Sequence, residues 1–405
     1  MAPPGHLQGL HRHRGDRGEG GVAVAAADLI AHDARPTQSL ADLWNGRRVL
    51  VTGHTGFIGS WLTTALLQLG ARVTGFALAD DAHARTRAWA LTELGADTRC
   101  GDVRDFAAVH QVMAAQPFDV VVHLAAQPVV SIGYSDPGMT LTTNVTGSVN
   151  VLEAARLCEP PVLVHVTSDK CYRNQDWPWP YREVDSLGGG CPYSVSKAAA
   201  ELVFEAYASL YAAAGKRIRS SSVRFGNVIG GGDAAAGRLV PEVIAALRAG
   251  GPVVLRRPDA VRPWQHVLDV VHGLLLLSDG LADRSVSGGE VFNFAPPGDG
   301  ETVHTLASAL AASHRGLSGA DVPLAEGRGD FPEDQLLRLD GRKAANALGW
   351  HHAFDCADAA DSIVAWHHSV AGGSAPHEVT SAQVSHFLET IQQAPSARRQ
   401  TGRHR

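Results

Sequence analysis

Val51-Thr52-Gly53-His54-Thr55-Gly56-Phe57-Ile58-Gly59 is the stretch that decides the fold of this 405-residue chain. Its glycines, spaced by three and three, follow the apolar run 47–52 and precede an apolar-periodic stretch at 61–69. The first permits a tight turn, the second lets backbone approach a pyrophosphate, and the third packs helix on strand. The helix then presents free N–H groups and its positive dipole end to the phosphates. A plain packing turn could use the same glycines, but strand–turn–helix as the first unit of the fold points to a dinucleotide. Gly70 closes that helix, and Arg72–Ala77 reads as the second strand.

Outward from this unit, strand-like runs recur at 120–124, Val162–Val166 and 220–225, with helices expected over 141–156 and 194–214. Continuous apolar strands alternating with helices predict a parallel sheet covered on both faces. The expected class is α/β: a Rossmann-type doubly wound parallel sheet with a smaller α/β substrate-binding lobe toward the C-terminus. Past Gly230 the pattern loosens into Gly/Pro-rich stretches, with short strands near Val253–Leu255, 291–294 and 337–339. The expected organisation is an extension over 1–43, an NAD-binding domain over 44–230, and a substrate-binding lobe over 231–390 with some return to the first domain. A flexible tail covers 391–405. The first stretch is rich in Gly, His and Arg, and it lacks the basic, apolar, small-residue order of a signal peptide.

Composition narrows the function. A net charge of −6 with scattered arginines argues against a nucleic-acid partner. No apolar run reaches the roughly eighteen residues of a membrane span, so no membrane partner is expected. Five cysteines, at 100, 158, 171, 191 and 356, are odd in number and show no Cys-x-x-Cys spacing. A disulfide framework or zinc site is therefore not expected, and a cytoplasmic location fits. The pairs His351-His352 and His367-His368 lack metal-ligand spacing, so no metal is expected.

Only four lysines stand against thirty-one arginines, and two of them are Lys170 and Lys197. A guanidinium cannot replace an amine that has to deprotonate. Thr167, Ser168, Asp169 and Lys170 follow the strand Val162–Val166, while Tyr193 and Lys197 open a helix. Ligands of open parallel sheets bind outside the carboxyl ends of strands, so both motifs should border the dinucleotide crevice. Tyrosine and lysine four apart share a helix face, where the ammonium is expected to hold the phenol's pKa down and make it a general base for a hydroxyl. Thr167 is expected to donate a hydrogen bond to the substrate; capping the strand is the alternative. At the adenosine end, Asp80 or Asp81 could reach the ribose 2′-hydroxyl, or neither does. Asp102, after a candidate strand at 98–101, could accept the adenine amino group or be a turn aspartate. No arginine cluster marks a 2′-phosphate site, which favours NAD over NADP.

The glycine turn, the strand-end motif and Tyr-x-x-x-Lys resemble the extended short-chain dehydrogenase/reductase family over roughly residues 44–388. Within it, Thr167–Tyr172, His123–Pro128, Arg224–Asp233 and Arg262–Val267 are similar to segments of the CDP-glucose 4,6-dehydratases. Two positions depart: Ile58 stands where that group usually has lysine, and Ser131 where it usually has arginine. The resemblance implies a hydro-lyase that holds NAD through each cycle and removes water from a nucleotide sugar, CDP-D-glucose by its motifs. It also implies that Tyr193 takes the 4-hydroxyl proton, Asp169 protonates the departing 6-hydroxyl and Lys170 is the C5 base. A homo-oligomer, a dimer or a dimer of dimers, built through the Tyr193 helix, is implied too. Candidate cofactor contacts are Gly53, Thr55, Gly56, Phe57, Ile58, Gly59, Asp102, Val103, Leu124, Ala125 and Ala126, with Tyr193 and Lys197. Candidate substrate contacts are Gln127, Asn227, Arg238 and Arg262, the two arginines for their bidentate fit to pyrophosphate.

Overall fold

The structure is a computed structural model, and it describes residues 39–78, 87, 90–327 and 335–393. Asp80 and Asp81 lie outside the described residues. Ser39 caps a short helix, Leu40–Trp44, through a reciprocal bond pattern with Asp42. This helix starts ahead of the boundary expected at 44, and its Trp44 is buried and donates to Asp279 at 3.1 Å.

Six strands follow in the expected order: β1 (Arg48–Thr52), β2 (Arg72–Ala77), β3 (Asp97–Cys100), β4 (Val120–His123), β5 (Val162–Val166) and β6 (Arg219–Phe225). They pair in parallel in the order β6-β5-β4-β1-β2-β3, and the strand Glu290–Phe294 adds to the outer edge of β6. The chain therefore winds outward from β1 in one direction and then crosses back to β4 to wind in the other. That reversal opens a crevice at the carboxyl ends of β1 and β4.

Why the sheet is covered on both faces is visible in β1 itself. Val49 and Val51 point into a core with Trp61, Leu62 and Leu274, whereas Leu50 points into a core with Val109, Val151 and Phe204. All three are fully buried. Burying each such side chain contributes about 1.5–3 kcal/mol. The helices Phe57–Gln68, Val267–Ala282 and Pro376–Gln393 cover the first face; Phe106–Ala114, Gly147–Cys158 and Pro192–Ala213 cover the second. The last helix binds back to the first long one: Gln68 Nε2 donates to the Ser381 carbonyl at 2.9 Å, and Ser385 Oγ donates to Gln68 Oε1 at 3.1 Å.

Apart from Glu290–Phe294, the described strands beyond β6 are short and pair two by two. Asn227–Ile229 lies parallel to Trp264–His266, Val261–Arg262 runs antiparallel to Glu301–Thr302, and Val253–Leu255 lies parallel to Leu324–Glu326. The run 337–339 does not form the strand expected of it. It makes only single bridges, Leu339 to Tyr181 and Leu336 to Val261, because a loop from Tyr172 to Leu187 lies against it instead of a strand.

Candidate active site

The crevice at the carboxyl ends of the strands is a cleft of about 930 Å³. Every candidate cofactor contact borders it, as do Thr167, Asp169, Lys170, Asn227, Arg238 and Arg262.

At one end lies the glycine turn. Gly53 has φ +74°, and a Cβ there would stand 2.7 Å from the Ala125 nitrogen; on Gly59 it would stand 2.1 Å from the Gly53 carbonyl. Only glycine fits both places. Thr52 Oγ1 ties the ends of β1 and β4 together, 2.7 Å from His123 Nδ1 and accepting from the Ala125 N–H at 3.3 Å. Gly56 starts the helix Phe57–Gln68 with no side-chain cap, so the first N–H groups face the cleft unclaimed by a neighbouring side chain. This is a cradle for a diphosphate. Asp102 sits farther along the rim, where its carboxylate accepts from the backbone and guanidinium of Arg104 at 2.5–2.8 Å; this pair holds its pKa below the ordinary value.

At the reacting centre, β5 delivers a polar turn. Asp169 is 2% exposed and Tyr193 is buried. Ser168 Oγ donates to Asp169 Oδ1 at 2.9 Å and also hydrogen-bonds the Tyr193 phenol, so it links the two. Two sequence expectations are corrected here. Thr167 does not turn its hydroxyl to the substrate: it donates to Glu201 Oε1, with the Val223 carbonyl at 3.2 Å. Consecutive residues leaving a strand face opposite ways, so Ser168, not Thr167, meets Tyr193. The second correction concerns the phenol. Burial pushes Tyr193 up to about 12; a hydrogen bond with Ser168 and the Arg238 charge oppose that, and Lys197 is not among its main influences. Burial also brings Lys197 down to about 8, while Glu201 and Cys171 act the other way. The shared helix face is real, but desolvation outweighs the attraction expected between the pair.

Gln127 is corrected as well. It does not line the cleft; it donates to Thr140 Oγ1 at 2.7 Å, accepts from the Val129 N–H at 2.5 Å, and its backbone exchanges bonds with Asn144. Its role is to hold the turn after β4. Asn144 in turn donates to Ser196 Oγ at 2.8 Å from a wide helical turn, Thr142–Thr146, that interrupts the helix expected over 141–156. Arg238 is held by Asp233 at 3.0 Å. Arg262 is buried at the cleft wall, and Asn227 Oδ1 is buried there without a hydrogen-bond partner among the described residues. Trp264 is committed through Nε1 to the Glu301 carbonyl at 3.0 Å, which is a packing role. Arg256 and Arg257, not singled out in the sequence, also border the cleft.

A family model, the NAD dependent epimerase/dehydratase family, matches residues 49–295. The chain belongs to that family. Its cofactor is NAD, and the cradle just described fits one. The chain is 38% identical to a CDP-glucose 4,6-dehydratase of Salmonella typhimurium over 80% of its own length and 92% of that protein's. It is 29% identical to a UDP-glucose 4-epimerase of Mycolicibacterium smegmatis over 75% and 93% of the two lengths. Among solved structures, a dTDP-glucose 4,6-dehydratase of Streptomyces venezuelae with NAD bound is similar at 26% identity and a TM-score of 0.69. The match covers 82% of this chain and 99% of that one.

Proposed function

We propose that this chain dehydrates CDP-D-glucose to CDP-4-dehydro-6-deoxy-D-glucose. A nucleotide-sugar 4,6-dehydratase, a hydro-lyase, is the class its relatives support; the cytidine nucleotide rests on the Salmonella relative and the sequence motifs. When bound, NAD supplies the acceptor for a hydride from C4 and the donor of that hydride to C6, so there is no net oxidation. Tyr193 takes the 4-hydroxyl proton, and the Ser168 hydroxyl and the Arg238 charge are the influences that favour its ionised form. The C4 ketone then acidifies C5. Lys170 removes the C5 proton while Asp169 protonates the departing 6-hydroxyl, and water leaves. C5 is reprotonated when hydride reaches C6. Each such proton transfer is worth ~10²–10⁴-fold.

The observation that carries this reading is the buried Asp169, joined through Ser168 to Tyr193 and next to Lys170, all in one cleft. An epimerase needs neither an acid for C6 nor a base for C5. Asn227, Arg238 and Arg262 are the chain's candidates for the sugar and pyrophosphate. A homo-oligomer through the helix Pro192–Ala213 is part of the reading, supported by Val195, Leu202 and Leu210 exposed along its outer side. Among the described residues no helix is long and apolar enough to cross a membrane.

The test offers the protein CDP-, dTDP-, GDP- and UDP-linked hexoses separately with NAD, following product mass and NADH absorbance. Loss of one water from CDP-glucose without accumulation of NADH is expected. Water loss from another nucleotide sugar discards the cytidine assignment, and an isomer of unchanged mass discards dehydration.

A further inference from the structure

We propose that Glu201 is a positioning residue of the reacting centre, which fixes the Thr167 hydroxyl and sustains the ammonium charge of Lys197. Glu201 is 2% exposed, on the helix Pro192–Ala213, one turn beyond Lys197 on the same face. Its Oε1 accepts from Thr167 Oγ1 at the end of β5 and from Ser222 Oγ of β6 at 2.7 Å. Its Oε2 accepts from Arg224 Nη2 at 2.6 Å, and both side chains of this pair are almost fully buried. Arg224 is fixed in turn: Nη1 donates to the Tyr172 hydroxyl at 2.7 Å and to the Glu183 carbonyl at 3.2 Å, and the guanidinium lies 4.9 Å over the Tyr172 ring. The Tyr172 hydroxyl donates to Asn293 Oδ1 at 2.7 Å. The carboxylate is therefore held by Thr167, next to Ser168 in the turn after β5, and by Ser222 and Arg224 of β6.

Packing alone does not explain such a group. A buried ion pair costs several kcal/mol of desolvation per ion, and apolar residues of similar volume are often as stable or more so. The arrangement has an electrostatic neighbour instead. Among the described residues, the other titratable groups that bear on Lys197 are His123 on β4, His165 on β5 and Cys171 after β5, with Tyr193 one turn back on the same helix. Burial keeps both imidazoles uncharged and the thiol and phenol protonated. Glu201 is the carboxylate that bears on Lys197, and it acts against the burial that pulls Lys197 down to about 8. Glu201 lies one helical turn from Lys197, where side chains four apart are neighbours, and losing such a counter-charge shifts a pKa by about 1–3 units. Without Glu201 the ammonium would lose its proton near or below neutrality, and with it the charge-assisted hydrogen bonds it can give to cofactor hydroxyls.

The catalytic consequence rests on the dehydratase reading; the consequence for NAD binding rests on the family alone. The test therefore measures NAD affinity against pH by tryptophan fluorescence, and turnover against pH on whichever nucleotide sugar the native protein dehydrates. In the native protein both are expected to fall as pH rises through about 8. In Glu201→Gln the same falls should begin about 1–3 units lower, and Glu201→Asp, which keeps the charge, should return them most of the way. Because Glu201→Gln strands Arg224, the double variant Glu201→Gln with Arg224→Met supplies a folded alternative with no buried orphan charge, and the same displacement is expected of it. Unmoved pH profiles in a folded variant, or a displacement that Glu201→Asp leaves uncorrected, would overturn the assignment. A native protein that binds NAD but dehydrates nothing removes the dehydratase reading, while the binding profile still decides the role of Glu201.

Discussion

Two carboxylates are buried almost equally deeply in this protein, Glu201 and Asp269, and they have opposite company. Glu201 meets the guanidinium of Arg224 and two hydroxyls. Asp269, in the helix Val267–Ala282, meets the Ala353 N–H at 2.8 Å and His352 Nε2 at 3.2 Å, with His266 nearby on the ring of Phe354. Arginine stays charged in any protein environment, whereas imidazole can give up its proton. Burial duly pushes Asp269 up to about 7 and His352 and His266 down to about 4 and 3. The same depth thus yields a permanent ion pair beneath the reacting centre and a proton-labile cluster in the C-terminal part. Depth does not decide charge; the partner does.

The comparison predicts that changes at the reacting centre after β5 alter chemistry, that breaking the Glu201–Arg224 pair costs stability at any pH, and that changes around Asp269 alter only stability, and do so with pH. Tyr193→Phe should show the largest effect: a loss of at least ~10²–10⁴-fold in kcat with an unchanged urea midpoint. A matching loss of stability would erase the distinction. Arg224→Met comes next. It leaves Glu201 buried without its cation, which costs about 3–5 kcal/mol, read from urea unfolding; a loss under about 1 kcal/mol would put the pair on a level with exposed ones. Lys170→Met should slow water loss by ~10²-fold while NADH absorbance shows that C4 oxidation persists. Elimination at the native rate would remove Lys170 as the C5 base.

Asp269→Asn should have the smallest effect, and its sign depends on pH. The folded pKa of about 7 lies above an unfolded value near 3.9. Its contribution is therefore fully present below about pH 4, declines as pH rises, and is gone above about pH 7. Asparagine keeps the bond from Ala353 and cannot ionise. Unfolding at pH 5 and pH 8 should show native and variant proteins drawing apart toward pH 8 in the variant's favour, with turnover unchanged; His352 is present in both and cancels in the difference. Parallel pH dependences would mean that Asp269 is not the titrating group.

What could be read in the sequence was local. The alternation of apolar runs located β1 to β6 within a residue or two, and the glycine spacing and Tyr-x-x-x-Lys located both ends of the cleft. What could not be read depended on which way a side chain faces and what comes to meet it. Thr167 and Ser168 are adjacent hydroxyls, and only the path of the chain leaving β5 sends one to Glu201 and the other to Tyr193. Burial, not Lys197, governs the phenol, and spacing does not reveal burial. Gln127 was expected at the substrate but was claimed by Thr140, and 337–339 was met by a loop rather than a strand. Glu201 did leave a trace: an acidic residue four after Lys197, on the helix face that also carries Tyr193, Ala200, Phe204 and Ala208.

The bond between Gln68 and Ser381 joins residues 313 positions apart. At a synthesis rate of ~5–20 residues per second, the helix that follows the glycine turn waits roughly 15–60 s on the ribosome for the segment that covers it. Until the helices Val267–Ala282 and Pro376–Gln393 are made, apolar side chains on one face of the nascent sheet, Trp61 and Leu62 among them, lack the helices that share their core. So long a contact also slows folding after release. The helix that follows the cofactor cradle is made long before the segment that packs on it, and a chain interrupted before residue 376 should be a client of chaperones rather than a smaller enzyme.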